Sequence, residues 1–110
     1  IRSPNGREYR MTNEEIKKLV TEHKIVLFMK GNEQAPACGF SMKAVRILQM
    51  LDAQFETRDV LADSELRENI KQYSDWPTIP QLYVNGEFMG GSDIMVDMFH
   101  DKSLAEALDA

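Results

Sequence analysis

The run from Ile25 to Met29, five consecutive apolar residues, most strongly constrains the fold that this 110-residue chain can adopt. An apolar run of strand length is typical of a strand buried on both faces, so other elements must pack above and below it. Before the run, apolar residues at helical spacing follow Thr12, which forms a capping box with Glu15. The sequence therefore predicts a helix over about residues 13–23 and then a central strand.

Strands and helices continue to alternate along the rest of the chain. Helical spacing resumes after Cys38, an extended run covers residues 54–60, and Asp63 caps a further helix. A hairpin with an Asn85-Gly86 turn follows, and another helix comes after it. The order αβαβαββα, with a short additional helix capped by Ser103, predicts one α/β domain. Its core would be a four-stranded mixed sheet flanked by helices on both faces.

We expect this domain to span residues 12–110, with residues 1–11 as a flexible N-terminal extension. The extension is locally basic and starts without methionine, which fits either the remnant of an organelle transit peptide or vector-derived residues. The first interpretation predicts a location in the mitochondrial matrix. The cytoplasm and other organelles are the alternatives.

Charge and cysteine content argue against several classes of function. The formal net charge is −5 and the sequence pI about 5.0, unlike the basic surfaces that neutralise nucleic acid. No uninterrupted apolar run reaches the roughly 18 residues of a membrane-spanning helix. One cysteine permits neither an internal disulfide nor a multi-cysteine zinc site. We therefore expect no nucleic-acid partner, no membrane insertion and a reducing compartment.

Cys38 is the candidate for reactive chemistry. It lies where a loop becomes a helix, and the unpaired N–H groups and dipole of a helix N-terminus favour the thiolate. Lys30, at the end of the preceding strand, can add positive charge. The alternative is a buried structural cysteine, the usual role of a lone cysteine, although small neighbours at an element boundary favour exposure.

Three further features are expected to converge near Cys38. A cis peptide before Pro80 would leave the backbone groups of Ile79 free to pair with an extended peptide, whereas a trans proline is the commoner arrangement. The glycine turn before Ser92 and Asp93 opens a helix N-terminus that suits an anion, or these residues simply form an N-cap. Lys30, Arg67 and Gln72 have side chains that can donate hydrogen bonds to a carboxylate. The alternative is that they are solvated surface residues with no ligand.

Four motifs in a fixed order give the chain a specific resemblance. They are Met29-Lys30-Gly31, Cys38-Gly39-Phe40-Ser41, Trp76-Pro77-Thr78-Ile79-Pro80-Gln81 and Gly90-Gly91-Ser92-Asp93. Together they resemble the monothiol glutaredoxins of the CGFS type, in the single-domain form, over about residues 12–108. The resemblance implies a thioredoxin-like (glutaredoxin) fold and glutathione as the ligand.

The resemblance also implies a role for each candidate binding residue. Lys30 and Arg67 would hold the glycine carboxylate of glutathione, with Gln72 as support. Ile79 would pair with the cysteinyl backbone of the tripeptide. The residues that would bind its γ-glutamyl end are Ser92 and Asp93.

A single thiol limits the chemistry that is open to such a protein. A dithiol reductase needs a resolving cysteine, and Ser41 occupies the position where dithiol relatives carry it. A [2Fe–2S] cluster usually has four thiolate ligands. Two chains, each with Cys38 as the metal ligand, and two glutathiones would supply them. This count predicts a homodimer bridged by the cluster. The homodimer would pass the cluster to iron–sulfur acceptor proteins.

Two alternative functions use the same surface. Cys38 could be the catalytic nucleophile of a glutathione-dependent thiol–disulfide oxidoreductase, with a second glutathione resolving the mixed disulfide. The chain could also be an adaptor that binds partners through its thioredoxin-like surface. The behaviour of the family favours the cluster carrier, with weak or no oxidoreductase activity.

Overall fold

The computed structural model describes residues 11–109, and its elements follow the predicted order. Residues 1–10, most of the expected extension, lie outside the described residues, as does residue 110. Among the helices described, none combines the length and apolar character that a bilayer crossing requires. The helices are α1 (Asn13–Glu22), α2 (Gly39–Met50), α3 (Ser64–Ser74), α4 (Ser92–His100) and α5 (Ser103–Asp109). The strands are β1 (Ile25–Met29), β2 (Glu56–Asp59), β3 (Gln81–Val84) and β4 (Glu87–Gly90).

The strands form one mixed sheet in the order β2-β1-β3-β4. β1 is parallel to β2 on one side and antiparallel to β3 on the other. β3 and β4 form the predicted hairpin, and its turn residues Asn85 and Gly86 both have positive φ (52° and 83°), as a type I′ turn requires. The predicted fold class, a four-stranded mixed sheet flanked by helices, is confirmed.

Alternate residues of β1 pack on opposite faces of this sheet. Leu27 and Met29 belong to a core formed with α2, α4 and α5, whereas Val26 and Phe28 belong to a core formed with α1 and α3. All five residues of β1 are buried. Burying a large apolar side chain contributes on the order of 1.5–3 kcal/mol. A strand between two helical layers therefore uses an apolar residue at every position.

Side-chain caps define the beginnings of α1 and α3. Thr12 Oγ1 accepts a hydrogen bond from Glu15 N–H at 3.2 Å, and the Glu15 carboxylate accepts one from Thr12 N–H at 2.9 Å, which confirms the capping box. Asp63 accepts from Leu66 N–H at 2.9 Å with one oxygen and from Met11 N–H at 3.0 Å with the other. Asp63 therefore caps α3 and also joins it to the segment before α1.

Two details differ from the prediction. β2 is predicted over residues 54–60 but extends only from Glu56 to Asp59. β2 starts later than predicted because the chain first makes a turn after α2, in which Asp52 has a φ of +58°. Ser103 is the first residue of α5 and not its cap, and its N–H donates to the Asp101 carboxylate at 2.8 Å.

Gly31, two residues after the end of β1, is predicted to tolerate no side chain. Its φ is +84°, and a Cβ there would lie 2.5 Å from the Ala35 carbonyl oxygen and 2.7 Å from the Ala37 nitrogen. Gly31→Ala should lower the free energy of unfolding by about 2 kcal/mol or more, since a left-handed backbone alone costs an L-residue about 1–2 kcal/mol. Urea denaturation measures this loss.

The matched control is Gly39→Ala, at the first residue of α2. A Cβ at this position meets no atom within 4 Å, and its φ lies outside the positive range. Alanine in a helix is favoured over glycine by roughly 0.5–1 kcal/mol, so the control should be as stable as the wild type or more stable. Equal stability of the two variants would contradict this account of Gly31.

Candidate functional site

Cys38 lies at the junction between the loop after β1 and helix α2. It is the N-cap residue of α2, its backbone is extended (φ −149°, ψ 160°), and its sulfur accepts a hydrogen bond from Ser41 N–H at 3.4 Å. The sulfur therefore occupies the end of the helix where backbone N–H groups are otherwise unpaired. The side chain is partly exposed, so the alternative of a fully buried structural cysteine is wrong.

The hydroxyl of Ser41 is fully buried between Cys38 and the end of β1. Its oxygen accepts from Lys30 N–H at 3.0 Å and lies 3.4 Å from the Cys38 sulfur. Because a backbone amide already donates to this oxygen, the hydroxyl proton is available to the sulfur when Cys38 is ionised. When Cys38 is neutral, its S–H can donate to the same oxygen instead.

These contacts determine the pKa of the Cys38 thiol. Partial burial by itself raises the pKa, but hydrogen bonds from the Ser41 side chain and from the Ser41 and Phe40 backbones lower it, as does the positive charge of Lys30. The lowering contributions prevail, and the pKa lies below the ordinary value of a cysteine. The thiolate, which attacks disulfides and binds metals, is therefore favoured.

The loop between β1 and Cys38 is held at both of its ends. Ala37 N–H, next to the cysteine, donates to the Lys30 carbonyl at 2.9 Å. The Asp59 carboxylate, at the end of β2, accepts from Gly31 N–H at 2.9 Å. Hydrogen bonds to the ends of β1 and β2 thus fix the loop that leads to Cys38.

A groove of about 400 Å³ lies beside this thiol and is built from separate parts of the chain. The end of β1, the start of α2, one face of α3, the loop before β3 and the start of α4 all contribute. We call Lys30, Arg67 and Lys71 the groove cations and residues 76–80 the wall loop. The other lining residues are Phe40 and residues 91–94. Three cations against one carboxylate, in a chain of net charge −5, suit the groove to an anionic ligand.

Most of the predicted binding residues meet in this groove. Those that line it are Lys30, Arg67, Ile79, Ser92 and Asp93. Gln72 does not line it: its side chain is exposed on α3, and the neighbouring Lys71 lines the groove instead. Residues four apart share a helix face, so Lys71 follows Arg67, whereas Gln72 is turned by about 100°. This four-residue spacing is the signal by which the sequence could have identified Lys71.

The backbone of the wall loop and of the start of α4 completes the groove. The peptide bond between Ile79 and Pro80 is cis, so the alternative of a trans proline is wrong. Within the described part of the chain, no backbone hydrogen bond engages the N–H or C=O of Ile79. The N-cap of α4 is Gly91, which offers no side-chain acceptor, so the interpretation of Ser92 or Asp93 as the cap is wrong.

We predict that Ser41→Ala raises the pKa of the Cys38 thiol, because the thiolate loses its side-chain hydrogen bond. Lys30→Met should raise the pKa less, since the charge is the smallest contribution and the Lys30 N–H remains. The rate of alkylation by iodoacetamide rises as pH passes through the thiol pKa. Its midpoint should therefore move to higher pH in both variants, and further in Ser41→Ala. An unmoved midpoint in Ser41→Ala, or a larger shift in Lys30→Met, would contradict this assignment.

A family model and several known proteins match this sequence. The glutaredoxin family model matches residues 25–89. The chain is 56% identical to a monothiol glutaredoxin of Synechocystis, over 89% of this chain and 92% of that protein. It is 50% identical to a mitochondrial monothiol glutaredoxin of Schizosaccharomyces pombe, over 88% of this chain and 68% of that protein. A chloroplastic monothiol glutaredoxin of Oryza sativa is 55% identical, and the match covers 84% of this chain and 55% of the rice protein.

Solved structures agree with this comparison. The reduced apo form of poplar GrxS14 superposes with a TM-score of 0.78 at 48% identity, over 87% of this chain and 88% of that chain. A buckwheat glutaredoxin solved with glutathione shares the fold, with a TM-score of 0.78 at 21% identity over 88% and 86% of the two chains. The family model matches more than half of the chain and the relatives match most of it, so this chain belongs to the glutaredoxin family, among the monothiol glutaredoxins.

Proposed function

We propose that this protein binds glutathione in the groove and, together with a second copy of itself, carries a [2Fe–2S] cluster to iron–sulfur acceptor proteins. The observation that carries the proposal is a single, partly exposed Cys38 of lowered pKa beside a groove with three cations. The chain has no second cysteine that could consume this thiolate in an internal disulfide. The Cys38 thiolate is therefore available to a metal or to the disulfide of another molecule.

The groove offers groups complementary to glutathione along its length. The groove cations can donate charge-assisted hydrogen bonds to the glycine carboxylate. The N–H and C=O of Ile79 can pair with the middle of an extended peptide as an added strand would. At the start of α4, Ser92 and Asp93 suit the γ-glutamyl end, whose ammonium the Asp93 carboxylate attracts. The buckwheat glutaredoxin of the same fold was solved as a complex with glutathione, which supports this ligand class.

A cluster would need ligands from more than one chain. Within residues 11–109, no three or more His, Cys, Asp or Glu side chains lie together in a way that could hold a metal ion. A [2Fe–2S] cluster usually takes four thiolates. Two copies of Cys38 and two bound glutathiones supply that number, so the cluster would join two chains and the apo protein would be largely monomeric. Because half of these ligands are diffusible, the cluster would be released readily to an acceptor.

The lowered pKa of Cys38 also favours a second candidate, glutathione-dependent thiol–disulfide exchange. The Cys38 thiolate would attack the glutathione sulfur of a mixed disulfide and release the other thiolate. A second glutathione would then attack the Cys38–glutathione disulfide and leave as oxidised glutathione. Rapid turnover in a deglutathionylation assay would favour this activity over the carrier, for which we expect slow turnover or none.

The mitochondrial matrix is the location that we propose. It is a reducing compartment in which a lone thiol persists, and the relative from Schizosaccharomyces pombe is named mitochondrial. A chloroplast, the location named for the rice relative, or the cytoplasm would provide the same condition.

Two adjacent residues of α3 test the glutathione site. Lys71→Ala should weaken glutathione binding by about three- to tenfold, because it removes one partly exposed partner of a carboxylate. Gln72→Ala is the matched control, since Gln72 is exposed and does not line the groove, and should bind as the wild type does. Isothermal titration calorimetry measures both affinities. Equal losses in the two variants would argue against the groove as the binding site.

Anaerobic reconstitution tests the cluster. Iron, sulfide and glutathione added to the apo protein should give a coloured dimer by absorption spectroscopy and size-exclusion chromatography. Cys38→Ser should remain colourless and monomeric, because serine supplies no thiolate. Omission of glutathione should also abolish the dimer, since two of the four ligands would be missing. A colourless wild-type protein, or unchanged cluster uptake by Cys38→Ser, would rule out the proposal.

A further inference from the structure

The side-chain amide of Gln81, the first residue of β3, is completely buried. Its Nε2 donates to the carbonyl oxygens of Trp76 at 3.0 Å and Thr78 at 3.2 Å. Its Oε1 is buried without a hydrogen-bond partner among the described residues. Because both neighbours are carbonyl acceptors, the nitrogen must face them. The amide thus uses both of its protons on the wall loop and leaves its own oxygen unpaired.

An unpaired buried oxygen is unfavourable, so the glutamine needs an explanation. The next three residues of β3, Leu82, Tyr83 and Val84, are all buried in the two cores. An apolar residue at position 81 would fit the same strand and avoid the unpaired oxygen. What an amide adds at this position is a pair of hydrogen bonds to the wall loop.

The wall loop has few other hydrogen bonds. Trp76 N–H donates to the Lys71 carbonyl at 3.1 Å, and the Trp76 carbonyl also accepts from the Ser74 hydroxyl at 3.4 Å, so Trp76 is tied to the end of α3. For residues 77–79, the bond from Gln81 to Thr78 is the one hydrogen bond found within the described part of the chain. The segment that presents Ile79 to the groove therefore depends on this side chain.

The opposite side of the wall loop packs closely against the start of α4. A Cβ on Gly91 would lie 3.2 Å from the Pro80 carbonyl oxygen and 3.6 Å from Trp76 Nε1. A side chain at position 91 would therefore crowd the wall loop, and glycine lets the backbone at the start of α4 lie beside it. The loop thus lies between the Gln81 amide, which donates hydrogen bonds to it, and the Gly91 backbone.

We infer that Gln81 is a positioning residue for glutathione binding: its amide holds the wall loop in the shape that presents the Ile79 backbone to the ligand. The inference rests on the proposed function. A wall that is ordered before the ligand arrives reduces the conformational entropy lost on binding. Gln81 itself does not line the groove, so its effect on binding is transmitted through the loop.

The test compares Gln81→Met with Ile25→Val. Methionine has a similar length and volume but donates no hydrogen bond. Ile25 lies at the other end of β1 from Lys30, and shortening it by one methyl group destabilises the core without touching the wall loop. Gln81→Asn is a second variant, because its shorter amide cannot reach both carbonyl oxygens.

Trp76 is the only tryptophan of the chain, so its fluorescence reports on the wall loop before any ligand is added. In protein without glutathione, time-resolved anisotropy should show larger fast motion of Trp76 in Gln81→Met and Gln81→Asn than in wild type or Ile25→Val. Glutathione affinity, measured by calorimetry, should fall about tenfold in Gln81→Met and stay within about twofold in Ile25→Val. The alkylation midpoint of Cys38 should not move in any of these variants, since Ser41 keeps its contacts.

Unchanged Trp76 motion and unchanged affinity in both Gln81 variants would overturn the inference. An equal loss of affinity in Ile25→Val would also overturn it, because the effect would then follow stability alone. A wild-type protein that binds no glutathione would instead contradict the proposed function. The anisotropy of Trp76 would still decide in that case whether Gln81 holds the loop.

Discussion

The buried hydroxyl of Ser41 joins the end of β1, the beginning of α2 and the sulfur of Cys38. Its oxygen accepts from Lys30 N–H at 3.0 Å and lies 3.4 Å from the sulfur. Because β1 is buried on both faces, its end is fixed within the sheet. The Ser41 hydroxyl contacts both this end and the Cys38 sulfur, so the position of the sulfur is restricted as well. The same contact lowers the pKa of Cys38. Serine at this position therefore stabilises the thiolate, whereas a cysteine there could resolve a mixed disulfide of Cys38 by attacking its sulfur.

The charge of the groove is opposite in sign to the net charge of the chain. A protein of net charge −5 presents three cations to one ligand site, two of them one helical turn apart on α3. An anionic tripeptide would be attracted to this site, although the chain as a whole carries a net negative charge. The wall loop adds backbone groups, and the Gln81 amide holds that loop from inside the domain. Charge would therefore attract the ligand, and loop geometry would align it.

One thiol per chain makes the proposed chemistry depend on outside partners. The sulfur of Cys38 has no internal cysteine partner and is partly exposed. Any disulfide or cluster that it forms must be completed by another molecule, which is why the proposed glutathione site beside it matters for both candidate functions. The sheet holds the Cys38 thiolate in a fixed position, and the groove beside it could hold the thiol of a bound ligand close to the Cys38 sulfur.

The sequence by itself determined the order of elements, the doubly buried β1, the capping box at Thr12, the Asn85-Gly86 turn and the position of Cys38 before α2. Each of these depends on residues close together in the chain, where hydrophobic period, capping and turn chemistry act. It also identified most of the groove residues, through motifs whose order resembles a known family. The four-residue spacing from Arg67 to Lys71 was also present in the sequence and placed the two on one face of α3. Only the tertiary structure decided that this face lines the groove, that Ser41 connects Lys30 to Cys38, and that Gln81 holds the wall loop. These depend on the direction in which a side chain leaves its helix or strand and on what packs against it, and those contacts exist only once distant segments meet.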